Sequence, residues 1–551
     1  MSLTLLRPAP LAAATLIALA ACAPGGSVAT APAPAPGPTP APTGRVRLDS
    51  APANWQLLDL ERDGVPGISS ERAMREVLAG RQPARTVVVA VIDGGVDTAH
   101  ADLRANLWTN AREQAGNRAD DDGNGFADDV RGWNFIGGAD GRDVEHDTYE
   151  VARLHARCTG INPNAAPPQS PATCDSVRRD FTRRRGEAER TLQQIRQIDA
   201  VLGEAVAVLR RVLAPDSVTI ERVRALRPAD QEAREARSTY LQMAEAGLTP
   251  DEVAEALKAY ESQVKYGLEP TYDPRPIVGD RYLDPTERRY GNTDVTGPDA
   301  SHGTHVAGII GAVRGNGVGV EGIAPAVRIM GVRAVPDGDE RDKDIANAIR
   351  YAADNGAQII NMSFGKSHSP FKASVDSAVR YAESKGVLMV HAAGNESENT
   401  TTAANFPTPV FRGGGRAGLW IEVGAIGWRL GDSLVAPFSN YGKVVDVFAP
   451  GMDILSTVPG GRYERESGTS MAAPVVSGLA ALLMAYYPDL TAADVKRIIL
   501  ESAVRRADDM VLRPGGEGAR VRFGDLSTTG GVVNALAAVR MAEELRSRKQ
   551  P

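Results

Sequence analysis

Residues 86–97 read TVVVAVIDGGVD. From Thr86 to Ile92 the run is β-branched or small and apolar with no polar alternation, so neither face of this strand is written for water. Such a strand belongs at the centre of a parallel sheet covered on both faces. It ends on Asp93, at the carboxyl end where open parallel sheets carry their functional groups. Taken alone, Asp93 reads equally well as a turn-capping aspartate. Similar runs recur at Val327–Val332, Gln358–Met362, Val387–Ala392, Ile421–Ile426 and Val444–Phe448, with helical patterns at Lys343–Asn355 and Phe371–Lys385. This alternation predicts an α/β fold with a mostly parallel central sheet and right-handed crossovers.

Composition agrees. A chain of 551 residues has room for one large domain with attachments, and 56 glycines with only 5% aromatics suit a turn-rich α/β enzyme better than a helical rod. The net charge of -7 leaves no global basic field for nucleic acid. Three cysteines exclude a cysteine-rich zinc domain or a disulfide-stapled miniprotein.

Upstream, Arg7 precedes an apolar run over 11–21 that is short of the ~20 residues of a membrane-spanning helix, so residues 1–21 read as an export signal. The signal ends in Leu19-Ala20-Ala21-Cys22, which resembles the lipobox of bacterial lipoproteins. That resemblance implies lipidation of Cys22 and anchoring to a membrane of the bacterial envelope. Ala23 points to the outer membrane, with the soluble domain in the periplasm or at the surface. Residues 22–53 are an Ala/Pro-rich tether with almost nothing to bury. Residues 54–83 form a lead-in, with Ser69 or Ser70 expected to cap a helix near Glu71–Leu78 that Gly80 ends.

Residues 146–274 differ in kind. Leu192, Ile195, Ile198, Leu202, Ala205, Leu209 and Val212 step by three or four and draw one apolar stripe. Thr249-Pro250-Asp251-Glu252 carries an N-cap, a proline at N1 and a glutamate at N3, with Leu248 and Val253 in staple position. The segment predicts a helical hairpin or bundle inserted between two parts of one domain, 84–145 and 275–540, with a charged tail at 541–551. It reads as a solubilising decoration, a gate for substrates or a seat for a protein partner. Cys158 and Cys174 flank a proline-rich stretch within it. In an oxidising compartment they are expected to pair, which stabilises by about 3 kcal/mol in the loop-entropy account.

Two further segments carry chemistry. Ser301-His302-Gly303-Thr304-His305-Val306-Ala307-Gly308 puts a histidine at the start of an apolar helix. His302 and His305 lack both the spacing and the intervening acid of a His-Glu-x-x-His zinc site, so His305 reads as a structural neighbour. Gly468-Thr469-Ser470-Met471-Ala472-Ala473-Pro474 puts a serine at a helix start, where N–H groups converge. Alone, Ser470 is indistinguishable from an N-cap.

Together the three segments resemble the subtilisin-like serine proteases, the subtilases. The order Asp93, His302, Ser470 is that superfamily's Asp…His…Ser order, and His391-Ala392-Ala393-Gly394-Asn395 resembles its oxyanion asparagine segment. The resemblance implies a subtilisin-like three-layer fold and a serine endopeptidase acting on proteins or peptides. Ser470 would be the nucleophile, His302 the general base, Asp93 its orienting carboxylate and Asn395 an oxyanion donor. It further implies that Ser363, Phe364 and Gly365 pair with an extended substrate. Ala392, Ala393 and Gly394 would line the first specificity pocket, small enough to leave room for a sizeable apolar side chain. Gly94 departs from the Ser or Thr more usual in the family, and the long insertion lies between Asp93 and His302. The chain between Cys22 and Thr86 is short for the folded propeptide of many members, so residues 54–80 are expected to stay attached. The residues around Ser470 do not form the Gly-x-Ser-x-Gly elbow of α/β-hydrolases, which disfavours an esterase of that kind.

Residues 120–129 read DDDGNGFADD. Asp120, Asp122, Asn124 and Asp128 fall at positions 1, 3, 5 and 9 of an EF-hand loop, but Arg131 stands where its bidentate glutamate belongs. The expectation is a structural Ca²⁺ site or, failing that, an acidic solvent loop.

Overall fold

The computed structural model describes residues 50–549. The export signal, Cys22 and residues 23–49 of the tether lie outside the described residues. Among the described residues, nine strands form the central sheet. Seven of them matter here: β1 (Val87–Asp93), β2 (Gly132–Asn134), β3 (Val327–Arg333), β4 (Ile359–Met362), β5 (Leu388–Ala392), β6 (Trp420–Ile426) and β7 (Val447–Pro450). They lie in the order β7-β6-β5-β4-β1-β3-β2, each parallel to its neighbour. A hairpin of β8 (Ile454–Val458) and β9 (Arg462–Glu466) stands apart from this sheet. The last predicted strand starts later than expected: Lys443 and Val444 lie in a turn closed by the Val445 N–H on the Gly442 carbonyl, and β7 opens at Val447, just after Asp446 N–H has bonded to the Glu422 carbonyl of β6.

Helices α1 (Leu60–Asp63) and α2 (Ser70–Glu76) belong to the lead-in. The insertion contributes α3 (Glu150–Thr159), α4 (Pro171–Leu213), α5 (Ile220–Ala225), α6 (Gln231–Glu245) and α7 (Pro250–Ser262). The domain resumes with α8 (Arg275–Val278), α9 (Ser301–Gly311), α10 (Asp342–Asp354), α11 (Lys372–Ser384) and α12 (Thr469–Tyr486). Helix α12 is apolar around its whole circumference because it is buried on every side, packed against α9 and the sheet.

The lead-in is part of the main core. Trp55, Leu57, Ile68 and Ala73 are buried in the same apolar cluster as β1, α9 and α12. The Trp55 indole donates to the Met452 carbonyl at 2.9 Å, and Ala535 N–H donates to the Ile68 carbonyl at 2.6 Å. The helix forms at Ser70–Glu76, but neither serine caps it as expected. Ser69 sits in the left-handed region at φ 61°, and its hydroxyl accepts from the Asn534 amide.

In the insertion, Leu202, Ala205, Leu209, Val223, Tyr240 and Val253 build a small separate core. The predicted stripe holds except at its end, where Val212 is 41% exposed. Thr249 and Glu252 form the reciprocal capping box. Cys158 and Cys174 are disulfide-bonded with Cα atoms 5.4 Å apart, tying the end of α3 to the start of α4.

Candidate active site

Asp93 is the last residue of β1, and His302 lies in the first turn of α9. The two elements approach closely because residue 303 is glycine: a Cβ there would lie 2.2 Å from the Gly95 carbonyl and 3.0 Å from Asp93 Cβ. The His302 Nδ1–H donates to Asp93 at 2.8 Å (Oδ1) and 3.0 Å (Oδ2), while Gly94 N–H also donates to Oδ1 at 2.7 Å. This fixes the ring orientation and leaves Nε2 without a hydrogen-bond partner among the described residues. Burial works against the charged imidazolium. The Asp93 charge and hydrogen bond, aided by Glu466, outweigh it and hold the pKa above the ordinary histidine range.

Ser470 occupies the first turn of α12. Its hydroxyl donates to the Ser363 carbonyl at 3.1 Å, and no hydrogen bond to His302 is formed among the described residues. Ser363 Oγ in turn donates to the Ser470 carbonyl at 2.9 Å. Catalytic hydrogen bonds are often long or poorly aligned before substrate binds and tighten in its complex.

Asn395 Oδ1 accepts from Thr469 N–H at 2.8 Å and from Thr469 Oγ at 3.0 Å. With the oxygen taken by two donors, the amide NH₂ faces the other way. Asn395 Nδ2 and Ser470 N–H both lie 3.5 Å from the point where a Gly468 side chain would begin. Two donors therefore border one small space beside the serine, kept open by glycine.

His305 is buried beneath this site, and its Nε2–H is shared between the Ile454 and Glu464 carbonyls at 3.0 and 3.1 Å. Burial pushes its pKa down to about 3, so it is a neutral pin between α9 and the β8–β9 hairpin.

The segments expected to face substrate come together, with one change from expectation. Ala392 and Ala393 are buried, and the Ala393 carbonyl accepts from Asn405 and Asn440 side chains. Between Gly365 and Gly394 stands the Asn405 carboxamide, 2.4 Å from where a Gly365 Cβ would be and 3.1 Å from a Gly394 Cβ. A polar group thus occupies the gap that small residues had suggested was open to a large apolar side chain. Phe364 is buried, its carbonyl facing His391 Nε2 at 2.9 Å, while His391 Nδ1 faces Glu422 at 2.9 Å. Asn405, Glu422 and Glu466 carry no local motif, and only the fold brings them here.

In the acidic loop, Glu113, Asp120 and Asp122 each present an oxygen within 4.8 Å of the others. The side chains at the other two EF-hand positions are engaged in bonds within the loop and to its neighbours. Asp128 turns away to accept from Gly116 and Arg118 N–H, and Asn124 is bound to Asp129 and Phe126. Glu113, seven residues before Asp120, joins Asp120 and Asp122 because the chain folds back on itself.

Residues 84–518 match the Subtilase family, Peptidase_S8, and the chain belongs to that family. It is 47% identical over 185 residues to thermophilic serine proteinase of Bacillus sp. (strain AK1), covering 33% of this chain and 42% of that one. It is 39% identical over 201 residues to subtilisin NAT of Bacillus subtilis subsp. natto, covering 36% and 49%. Against thermitase of Thermoactinomyces vulgaris it is 40% identical over 183 residues, covering 33% and 60%. The matched stretch spans about half the length of these relatives.

Proposed function

We propose that the protein is a serine peptidase that cleaves bonds in protein or peptide chains, with Ser470 as nucleophile, His302 as general base and acid, and Asp93 as its orienting carboxylate. The observation that carries this is the bidentate Asp93–His302 hydrogen bond beside a serine at a helix start, with two N–H donors converging next to it. Ser470 Oγ attacks the carbonyl carbon as Nε2 takes its proton. Oxyanion charge falls towards Asn395 Nδ2 and Ser470 N–H. The imidazolium then protonates the leaving amine, and water repeats the sequence on the acyl-enzyme. In S470A, hydrolysis of short peptide anilides should fall by several orders of magnitude while the fold persists; retained hydrolysis refutes the assignment.

A structural Ca²⁺ ion fits the donor set of Glu113, Asp120 and Asp122: three carboxylates supply hard anionic oxygens, and the ion would offset their mutual repulsion. The lipid anchor at Cys22, and with it a place in the bacterial envelope, is a separate proposal supported by residues 1–23 alone. Mass analysis of the mature amino terminus tests it, an unmodified Cys22 being the refuting result.

A further inference from the structure

Two segments flank the nucleophile. Ser363–Gly365 begins at Ser470, to which Ser363 is bonded in both directions. Gly338–Glu340 follows β3. The main-chain groups of Gly338 and Gly365 make no hydrogen bond among the described residues, so each segment keeps an edge for an added strand. Three positions beyond Ser363, Lys366 joins the two segments. Its side chain is 1% exposed, and its ammonium donates to the Glu340 carbonyl at 2.7 Å and to Glu150 at 2.8 Å, and pairs with Asp342 at 2.9 Å. A peptide laid along Ser363–Gly365 from Ser470 advances ~3.3 Å per residue and meets this crosslink after about three residues.

The insertion holds the crosslink in place from both sides. Arg153 of α3 pairs with Glu150 and donates to the Asp339 and Glu340 carbonyls. His146 and Ser262 hold Asp337 at 2.7 and 2.6 Å. On the other segment, Asp180 and Arg184 of α4 hold His368 and Ser367 at 3.1 and 3.0 Å. The wall is also short of donors. Both carboxyl oxygens of Glu340 and Oε1 of Glu150 are buried without a hydrogen-bond partner among the described residues. Unpaired buried acceptors of this kind are costly and suit an incoming ammonium.

We propose that this wall confines cleavage to bonds close to a free amino terminus: the substrate is a peptide with an unblocked α-ammonium, up to about three residues on the acyl side of the cut, and Glu340 receives that ammonium. The proposal rests on the peptidase reading above and narrows its substrate. Ser470 Oγ forms an ester with the short acyl portion as the C–N bond breaks and the amine leaves with a proton. Water then releases a short peptide.

The test uses the full chain and a nested series of peptide anilides of one sequence, lengthened one residue at a time on the acyl side, each with a free or acetylated amino terminus. The expected kcat/KM climbs to about the third residue, then drops about tenfold or more, and acetylation of the best member costs a similar factor. In E340Q the gap between free and acetylated members should shrink. Mass spectrometry of products from an unfolded protein gives a reading without any variant: short amino-terminal peptides are expected. Long or acetylated members cleaved as fast as short free ones, or internal fragments released first, overturn the proposal. If no member is hydrolysed and a fluorophosphonate leaves Ser470 unmodified, the peptidase reading fails and takes this one with it.

Discussion

At the scale of single residues, Glu466 is the informative neighbour of the reacting groups. Burial pushes its carboxyl up to about 7, with the negative charge of Asp93 acting in the same sense. Its own charge favours imidazolium at His302. General-base catalysis needs that imidazole neutral, so a raised His302 pKa puts the acid limb of the kcat/KM profile above the ordinary histidine range. Replacing Glu466 by Gln removes one raising influence, and the limb should move to lower pH; an unmoved or upward-shifted limb would contradict the assignment. Asn405 makes a second case. Asn405→Gly should raise kcat/KM for a bulky apolar residue before the cut relative to alanine there, by about tenfold if the carboxamide fills the pocket. An unchanged ratio would place the pocket elsewhere. Neither residue was legible in the sequence: Glu466 meets Asp93 and His302 from far along the chain, and Asn405, although only twelve residues from Ala393, carries no motif to show that its loop turns back onto β5.

Among the elements, the lead-in behaves as a core component. Trp55 has no exposed surface and plugs into the cluster that carries β1 and α12, with its indole N–H satisfied by Met452. Trp55→Ala should destabilise by about 3–5 kcal/mol, read as a lower denaturant midpoint. The mature protein should retain Asn54–Gly80; quantitative cleavage near Arg81–Arg85 without loss of stability would show the segment to be dispensable. The strands were easy to read because a sheet covered on both faces needs uninterrupted apolar runs. Val89–Ile92 of β1 and Leu388–Val390 of β5 illustrate this through their complete burial. The second half of the long helix α4 was plain from its stripe over Leu192–Val212, whereas its first half, from Pro171, lay outside that stripe. What the insertion does was not, since Lys366 carries no mark in sequence that its ammonium will meet Glu150, more than two hundred positions away (|i−j| = 216).

For the molecule as a whole, stability and activity hang on different groups. A Ca²⁺ ion held by Glu113, Asp120 and Asp122 should stabilise the fold by about 2–3 kcal/mol at a hundredfold excess over Kd, seen as a Tm that falls on chelation. D120N should abolish that response, whereas D128N should keep it, because Asp128 is committed to the Gly116–Arg118 turn. Loss of the response in D128N as well as in D120N would restore the EF-hand reading. The site residues most legible in sequence were Asp93, His302, Ser470 and Asn395, each at an element boundary where a short motif fixes the local backbone. The central claim is that Asp93, His302 and Ser470 act as one proton-transfer unit. Its most direct measurement is reaction of the full chain with a fluorophosphonate, followed by peptide mapping. The account predicts a single adduct on Ser470 whose rate collapses in H302A. An adduct elsewhere, or labelling of Ser470 at an undiminished rate without His302, would contradict it.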